Sequence, residues 1–148
     1  MIAKRKEEIK MNLPVYRILI VEDTKERQKI LKDLYKDHAW IMVHTAERAI
    51  RLLEVYQFDL ISLDYDLAGI RKGDAVAEFI AKSKITNPKV IVHSMNSTGA
   101  QKIKLLLPDA DVVPLSKMIR TNITFKRLRE ELKKATDINW AYVFSGKK

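Results

Sequence analysis

The sequence contains no cysteine, and only four glycines and four prolines among its 148 residues. Without cysteine, the chain can form neither a disulfide framework nor a thiolate metal site. The low glycine and proline content argues against low complexity. No apolar run approaches the roughly 18 residues of a membrane span, and the charged segment Met1–Lys10 lacks the apolar core of a secretory signal. We therefore expect one cytoplasmic globular domain with a single hydrophobic core.

Positive charge is in excess, with 28 Lys and Arg against 19 Asp and Glu and a net charge of +9. Such a balance suits an anionic small molecule, an acidic partner or nucleic acid. The basic residues form only local clusters, at Lys4–Lys6, Lys126–Arg129 and Lys133–Lys134. No aromatic residues interleave with these clusters, as a surface for single-stranded nucleic acid would require. Solvated helix faces therefore explain the excess best, and nucleic acid is left open as a partner.

Five short apolar runs alternate along the chain with helical patterns. Continuous apolar runs are typical of strands that are buried on both faces, as in a parallel sheet. Between them, apolar residues recur at a spacing of three and four, and Pro108 ends the fourth helical pattern. Five consecutive β-α units predict a doubly wound α/β fold with three layers, α/β/α, around a five-stranded parallel sheet. The predicted strands are Arg17–Glu22, Ala39–Val43, Leu60–Leu63, Val90–Val92 and Val112–Leu115.

The two ends of the chain lie outside this alternation. We predict a basic extension over residues 1–14, the α/β domain over residues 15–136 and an apolar tail over residues 137–148 (DINWAYVFSGKK). The tail is expected to pack on the domain, as an edge strand or over a helix, or to contact a partner. The last alternative leaves a homodimer open.

Carboxylates follow two of the predicted strands. Glu22 and Asp23 end the first strand, and Asp64 ends the third, with Asp66 two residues later. In this fold class, ligands bind at the carboxyl ends of the strands. Four carboxylates that converge there would repel one another unless a hard cation neutralised them, and oxygen ligands of this kind suit Mg²⁺ and Mn²⁺. The sequence therefore predicts Mg²⁺, or Mn²⁺, as the cofactor.

Other polar residues follow the fourth and fifth strands. His93 can give or take a proton near neutral pH, and Asn96 can donate a hydrogen bond to a phosphate oxygen. Each also has a structural explanation: His93 as a satisfied core histidine, Asn96 as a turn residue before a helix, and Lys117 as a solvated lysine. These alternatives stay open at the level of sequence.

The chain resembles the receiver domain of two-component response regulators over most of its length. The pair Glu22–Asp23 matches the metal-binding acids of that family, Asp64 the phospho-accepting aspartate, and Ser94 the hydroxyl residue that senses the phosphoryl group. The resemblance implies a sheet of order 2-1-3-4-5. It also implies that Asp64 attacks phosphorus with Mg²⁺ present and that Lys117 pairs with the phosphoryl group. The segment 114–118 (PLSKM) departs from the usual Lys-Pro, and a simple alignment places Ser116 on the expected lysine.

Two motifs resemble a narrower family, the cyclic-phosphate processing receiver domains. Ser62–Leu67 (SLDYDL) is similar to its SLDxDL motif, and His93–Asn96 (HSMN) is similar to its HSxN motif. The family's Asp-Asp-x-Arg motif corresponds here to Glu22–Lys25 (EDTK). The resemblance implies processing of a phosphoester or cyclic phosphate by a metal-dependent phosphoesterase. It implies catalytic roles for Asp64, His93, Ser94 and Lys117, substrate binding by Asn96 and Ser62, and metal binding by Glu22, Asp23, Asp64 and Asp66.

Three functions are therefore open. The first is a metal-dependent enzyme that acts on a phosphorylated small molecule, and His93, Asp66 and Asn96 favour it. The second is a stand-alone phosphoprotein of a phosphorelay, which would act through a signalling protein; Asp64 and Ser94 favour it, and the missing Lys-Pro disfavours it. The third is a degenerate receiver that serves only as an interaction module.

Overall fold

Strands and helices alternate through the chain, and the computed structural model describes residues 15–84 and 87–147. The predicted extension over residues 1–14 lies outside the described residues. The strands are β1 (Arg17–Val21), β2 (Ala39–Val43), β3 (Leu60–Leu63), β4 (Lys89–Val92) and β5 (Asp111–Val112). The helices are α1 (Lys25–Tyr35), α2 (Ala46–Val55), α3 (Gly73–Lys82), α4 (Ser97–Leu106), α5 (Ile123–Leu132) and α6 (Trp140–Ser145). The strands form one parallel sheet in the order β2-β1-β3-β4-β5, so the predicted fold class and strand order are confirmed.

Helices cover both faces of the sheet, which explains why the strands are continuously apolar. Along β1, Leu19 and Val21 face a core formed with α2, α3 and α4. Ile18 and Ile20 face the opposite core, which is formed with α1, α5 and α6. Successive side chains of a strand alternate between the two faces, so residue parity decides which layer each strand residue contacts.

The fifth strand is shorter than the sequence predicts. Only Asp111 and Val112 pair with β4, and the chain then enters a one-turn 3-10 helix, Leu115–Met118. Pro114 separates the two segments. Proline has no N–H to donate to the sheet, so it does not extend the strand.

The described part of the C-terminal tail forms a helix that packs against α5. Val143 is fully buried in the core on that side of the sheet. The rings of Trp140 and Phe144 stack with centroids 6.1 Å apart, and the ammonium of Lys89 lies 5.2 Å from the centre of the Trp140 ring. Gly146, with a φ of 73°, ends the helix in the left-handed conformation.

Within the described part of the chain, no helix combines the length and apolar character needed to cross a bilayer.

Val143→Ala is expected to lower the free energy of unfolding by about 1 to 2 kcal/mol, because it removes two buried methyl groups and leaves a cavity. Val55→Ala is the matched control, since Val55 is 72% exposed and the same deletion there should change stability by less than about 0.5 kcal/mol. Urea unfolding of both variants measures the difference. Equal effects would mean that α6 does not pack on the domain in solution.

Candidate metal centre

Three ionisable side chains converge at the carboxyl edge of the sheet. Glu22 follows β1, Asp64 follows β3 and His93 follows β4, and each is fully buried. One ligand atom from each lies within 4.8 Å of the others. The parallel pairing of β1 with β3 and of β3 with β4 produces this meeting, because it brings the ends of the three strands to one edge.

Glu22 is held from several sides. Its Oε2 accepts a hydrogen bond from the backbone N–H of Thr24 at 3.0 Å, and its Oε1 lies 3.0 Å from Nε2 of His93. Its backbone carbonyl accepts a hydrogen bond from Gln28 at 2.9 Å. Burial alone would raise the pKa of Glu22, but the hydrogen bonds to His93 and Thr24 and the positive charge of Arg27 outweigh it and lower the pKa. Glu22 is therefore favoured in its ionised form.

The pKa of Asp64 is shifted in the opposite direction. Burial, and then the negative charge of Glu22, raise its pKa, although hydrogen bonds from Ser94 and from the N–H of Tyr65 oppose the shift. Its Oδ1 accepts the Tyr65 N–H at 2.8 Å. The negative charge on Glu22 therefore disfavours a second negative charge on Asp64, because both carboxyl groups are buried close together. A divalent cation with a preference for oxygen ligands would relieve this repulsion, so the residues present fit Mg²⁺ or Mn²⁺.

Arg27 is a site residue that sequence reasoning missed. Its NH1 lies 3.3 Å from Oδ2 of Asp64, and its side chain is one-third exposed. Arg27 lies in the first turn of α1, and only the N-cap Thr24 separates this helix from the acidic pair. One feature of the sequence pointed to a cation at this place: the Asp-Asp-x-Arg motif of the family has an arginine close to the acids, where this chain has Lys25. Lys25 is exposed, and the guanidinium comes instead from two residues further along the helix.

Two glycines shape the loop that carries Asp64. A Cβ at Gly73 would lie 2.1 Å from the backbone oxygen of Asp64, and a Cβ at Gly99 would lie 2.2 Å from the ring of Tyr65. Neither distance is compatible with a side chain. The absence of a side chain at these positions lets α3 approach the backbone of Asp64 and lets α4 pack against the ring of Tyr65.

The rim of the centre is formed by the predicted HSxN segment and by Asp66. Asn96 is the N-cap of α4, where its Oδ1 accepts the N–H of Gly99 at 2.9 Å, and its Nδ2 donates to Oδ2 of Asp66 at 3.3 Å. Ser94 is buried, and its Oγ accepts the N–H of Asn96 at 3.0 Å. Asn96 thus caps the helix with its amide oxygen and contacts the carboxylate of Asp66 with its amide nitrogen.

The remaining predicted site residues lie outside the group of three converging ligand atoms. Asp23 is half-buried, and its Oδ1 accepts a hydrogen bond from the Thr24 hydroxyl at 3.4 Å. Ser62 is fully buried behind His93. Lys117 and its neighbour Ser116 are both exposed in the 3-10 turn. Among the ion pairs of the described residues, 15–84 and 87–147, none includes the side chain of Lys117. The structure thus brings Glu22, Asp64 and His93 together, with Asp66 at the rim.

Asp64→Asn is expected to stabilise the metal-free protein at pH 7 by about 1 kcal/mol, a common gain when a functional charge is removed. The pKa of Asp64 is raised in the fold, so the folded state prefers the protonated acid and stability is lost as the pH rises through that range. Thermal unfolding with EDTA measures the effect, and exposed Asp109→Asn is the control. A loss of stability in Asp64→Asn would contradict the repulsion between Asp64 and Glu22.

Solved structures of response regulators share this fold. The Mn²⁺-bound response regulator Rcp1 is 19% identical with a TM-score of 0.62, over 84% of this chain and 95% of that chain. TrrA of Thermotoga maritima, in complex with Mg²⁺ and BeF, is 25% identical with a TM-score of 0.60, over 82% and 99%. The phosphorylated cyanobacterial phytochrome response regulator RcpA is 18% identical with a TM-score of 0.58, over 90% and 97%.

No curated protein sequence matches the chain significantly. The profile of one protein family, described as the cyclic-phosphate processing receiver domain, matches residues 17–109. This range is well over half of the chain and contains Glu22, Asp64, His93 and Arg27. The protein therefore belongs to the family of cyclic-phosphate processing receiver domains.

Proposed function

We propose that this receiver domain binds Mg²⁺ or Mn²⁺ at its acidic centre and hydrolyses a phosphoester, with cyclic phosphates as the substrate class. The observation that carries the proposal is the contact of Arg27 with Asp64 at 3.3 Å, beside the buried carboxylate of Glu22. Two carboxylates are suited to a divalent metal, and a guanidinium is suited to a phosphate group. The description of the family supports the same substrate class.

Glu22 and Asp64 would hold the metal, with Asp23 and Asp66 as further ligands toward the rim. When bound, the ion would neutralise these carboxylates and polarise a phosphate oxygen. Arg27 is partly exposed, so its guanidinium can turn from Asp64 to a phosphate that enters from solvent. Arginine binds phosphate oxygens through two parallel hydrogen bonds, which would also orient the substrate.

Hydrolysis of a cyclic phosphodiester consumes one water, breaks one P–O ester bond and yields a phosphomonoester with a free hydroxyl group. Arg27 would stabilise the negative charge that develops on the phosphate oxygens. Asp66, exposed at the rim, would orient the water and accept its proton, and a proton from solvent would complete the leaving hydroxyl. Ser94 and Asn96 would donate hydrogen bonds to the phosphate.

A second function, phosphoryl acceptance by Asp64, is favoured by the buried hydroxyl of Ser94, which lies close enough to Asp64 to oppose the rise in its pKa. An Asp64 oxygen would form a bond to the phosphorus of a phosphodonor, the donor's leaving group would depart, and an acyl phosphate would result. Lys117 would then pair with the phosphoryl group, and a signalling protein would read the change. The structures of phosphorylated RcpA and of TrrA with Mg²⁺ and BeF support this alternative by likeness of fold.

Arg27→Ala should lower the rate of cyclic phosphate hydrolysis by about 100-fold or more, because it removes a charged donor from the transition state. Lys25→Ala is the matched control; it removes a cation from the same helical turn and should retain most of the activity. Phosphorus NMR of a panel of cyclic and linear phosphoesters with Mg²⁺ measures the rates. If neither Mg²⁺ nor Mn²⁺ supports turnover of any member of the panel, the phosphoesterase proposal is wrong.

Acetyl phosphate with Mg²⁺, followed by intact mass measurement, separates the two candidate functions. A phosphoryl adduct on the wild type that is absent from Asp64→Asn would establish phosphoryl acceptance. Turnover of a cyclic phosphate without a stable adduct would support the phosphoesterase. A protein that binds no divalent metal and shows neither reaction would be an interaction module.

A further inference from the structure

Four fully buried polar side chains form a continuous row beneath the metal centre. The hydroxyl of Tyr35 lies 3.2 Å from Oγ of Ser62, which lies 2.9 Å from Nδ1 of His93. Nε2 of His93 lies 3.0 Å from Oε1 of Glu22. All four side chains have no exposed surface. Such a row is costly to bury unless each donor meets an acceptor, so the positions of its protons are constrained.

Strand register creates the row. Ser62 of β3 lies opposite Ile20 of β1 and opposite Ile91 of β4. Glu22 and His93 are two residues beyond these partners, so they point toward the same face of the sheet as Ser62. Tyr35, in the last turn of α1, covers that face.

The direction of the hydrogen bonds follows from counting protons. Burial raises the pKa of Tyr35, so its hydroxyl stays protonated, and Ser62 is the acceptor found for it in the described part of the chain. Ser62 then donates its own proton to Nδ1 of His93, and Nε2 carries the ring proton and donates it to the Glu22 carboxylate. In this arrangement every proton in the row has an acceptor.

The other arrangements leave a group unsatisfied. A proton on Nδ1 of His93 would have to be donated to Ser62, which would leave the Ser62 hydroxyl proton without an acceptor while Tyr35 still donates to Ser62. An unprotonated Nε2 would face the Glu22 carboxylate at 3.0 Å with no proton between two acceptors. Unsatisfied buried groups of this kind are strongly disfavoured.

We infer that His93 is a positioning residue, held by Tyr35 and Ser62 in its Nε2–H form, which aims Glu22 at a metal site made of carboxylates alone. The inference rests on the proposed metal site and assigns its metal class. A ring nitrogen of His93 lies within 4.8 Å of both carboxylates, but Nε2, the nitrogen that faces Glu22 at 3.0 Å, carries a proton in this arrangement. His93 therefore neither binds the metal nor contacts the substrate.

This arrangement has a consequence for metal choice. Glu22 receives a hydrogen bond on each carboxylate oxygen, from His93 and from the N–H of Thr24, so its orientation is fixed from both ends. An imidazole ligand would favour Zn²⁺, whereas carboxylate ligands favour Mg²⁺ and Mn²⁺. The hydroxyl groups of Tyr35 and Ser62 thus keep a proton on Nε2 of His93. Only carboxylate oxygens are then left as ligands, and these favour Mg²⁺ and Mn²⁺ over Zn²⁺.

Long-range ¹H–¹⁵N NMR of the metal-free wild type tests the inference directly. The expected result is a protonated Nε2 and an unprotonated, hydrogen-bonded Nδ1 on His93, and addition of Mg²⁺ should leave both assignments unchanged. In Ser62→Ala, the Nδ1 signal should move to the position of a nitrogen that accepts no hydrogen bond. A proton on Nδ1 of the wild type, or direct coordination of Nε2 to an added metal, would overturn the inference.

A pair of His93 variants tests the positioning role. His93→Met removes the donor to Glu22 and should weaken Mn²⁺ binding by about ten-fold or more, the usual effect of losing a partner of a metal ligand. His93→Gln keeps an N–H near the position of Nε2 and should restore most of the affinity. Equal loss in both variants, or loss in neither, would refute the positioning role.

The two proposals fail in different ways. If the wild type binds neither Mg²⁺ nor Mn²⁺, the proposed function fails and the assigned metal class fails with it, whatever the form of His93. If the wild type binds Mn²⁺ but binds Zn²⁺ through His93, the metal site stands and the positioning role is refuted.

Discussion

The burial of two carboxylates side by side is the constraint on which the rest of the centre depends. Glu22 and Asp64 end neighbouring strands, and the sheet does not let them separate. Their pKa values move in opposite directions, because hydrogen bonds favour the charge on Glu22 while that charge disfavours ionisation of Asp64. Arg27 above the pair and His93 beneath it are the protein's own means of making this arrangement stable.

The division between the two faces of the sheet connects packing with chemistry. On the face covered by α1, apolar side chains of β1 and β3 pack in the core, and Glu22 and Ser62 point to this same face. The row of polar side chains therefore lies next to a hydrophobic layer. A polar group can be kept there only if its neighbours complete its hydrogen bonds. The core on this side therefore supports the fold and also fixes the orientation of Glu22, which we propose as a metal ligand.

Strand and helix order could be predicted from the sequence because the apolar runs are continuous and the helical patterns regular. The extent of β5 could not, since the apolar run through Val113 and Leu115 conceals the effect of Pro114 on pairing. The acidic centre followed from Glu22 and Asp64 at strand ends.

The contribution of Arg27 did not follow from the sequence, because it depends on how far the first turn of α1 reaches over the sheet. The partners of Ser62 depend on register between strands, which no single-strand pattern contains.

Mn²⁺ added to the protein, with amide broadening followed by NMR, locates the bound metal. An ion held by Glu22 and Asp64 should broaden the amide signals of Glu22, Asp64 and Ser94 most and leave Trp140, at the far side of the domain, unaffected. Uniform broadening, or none at saturating Mn²⁺, would contradict it.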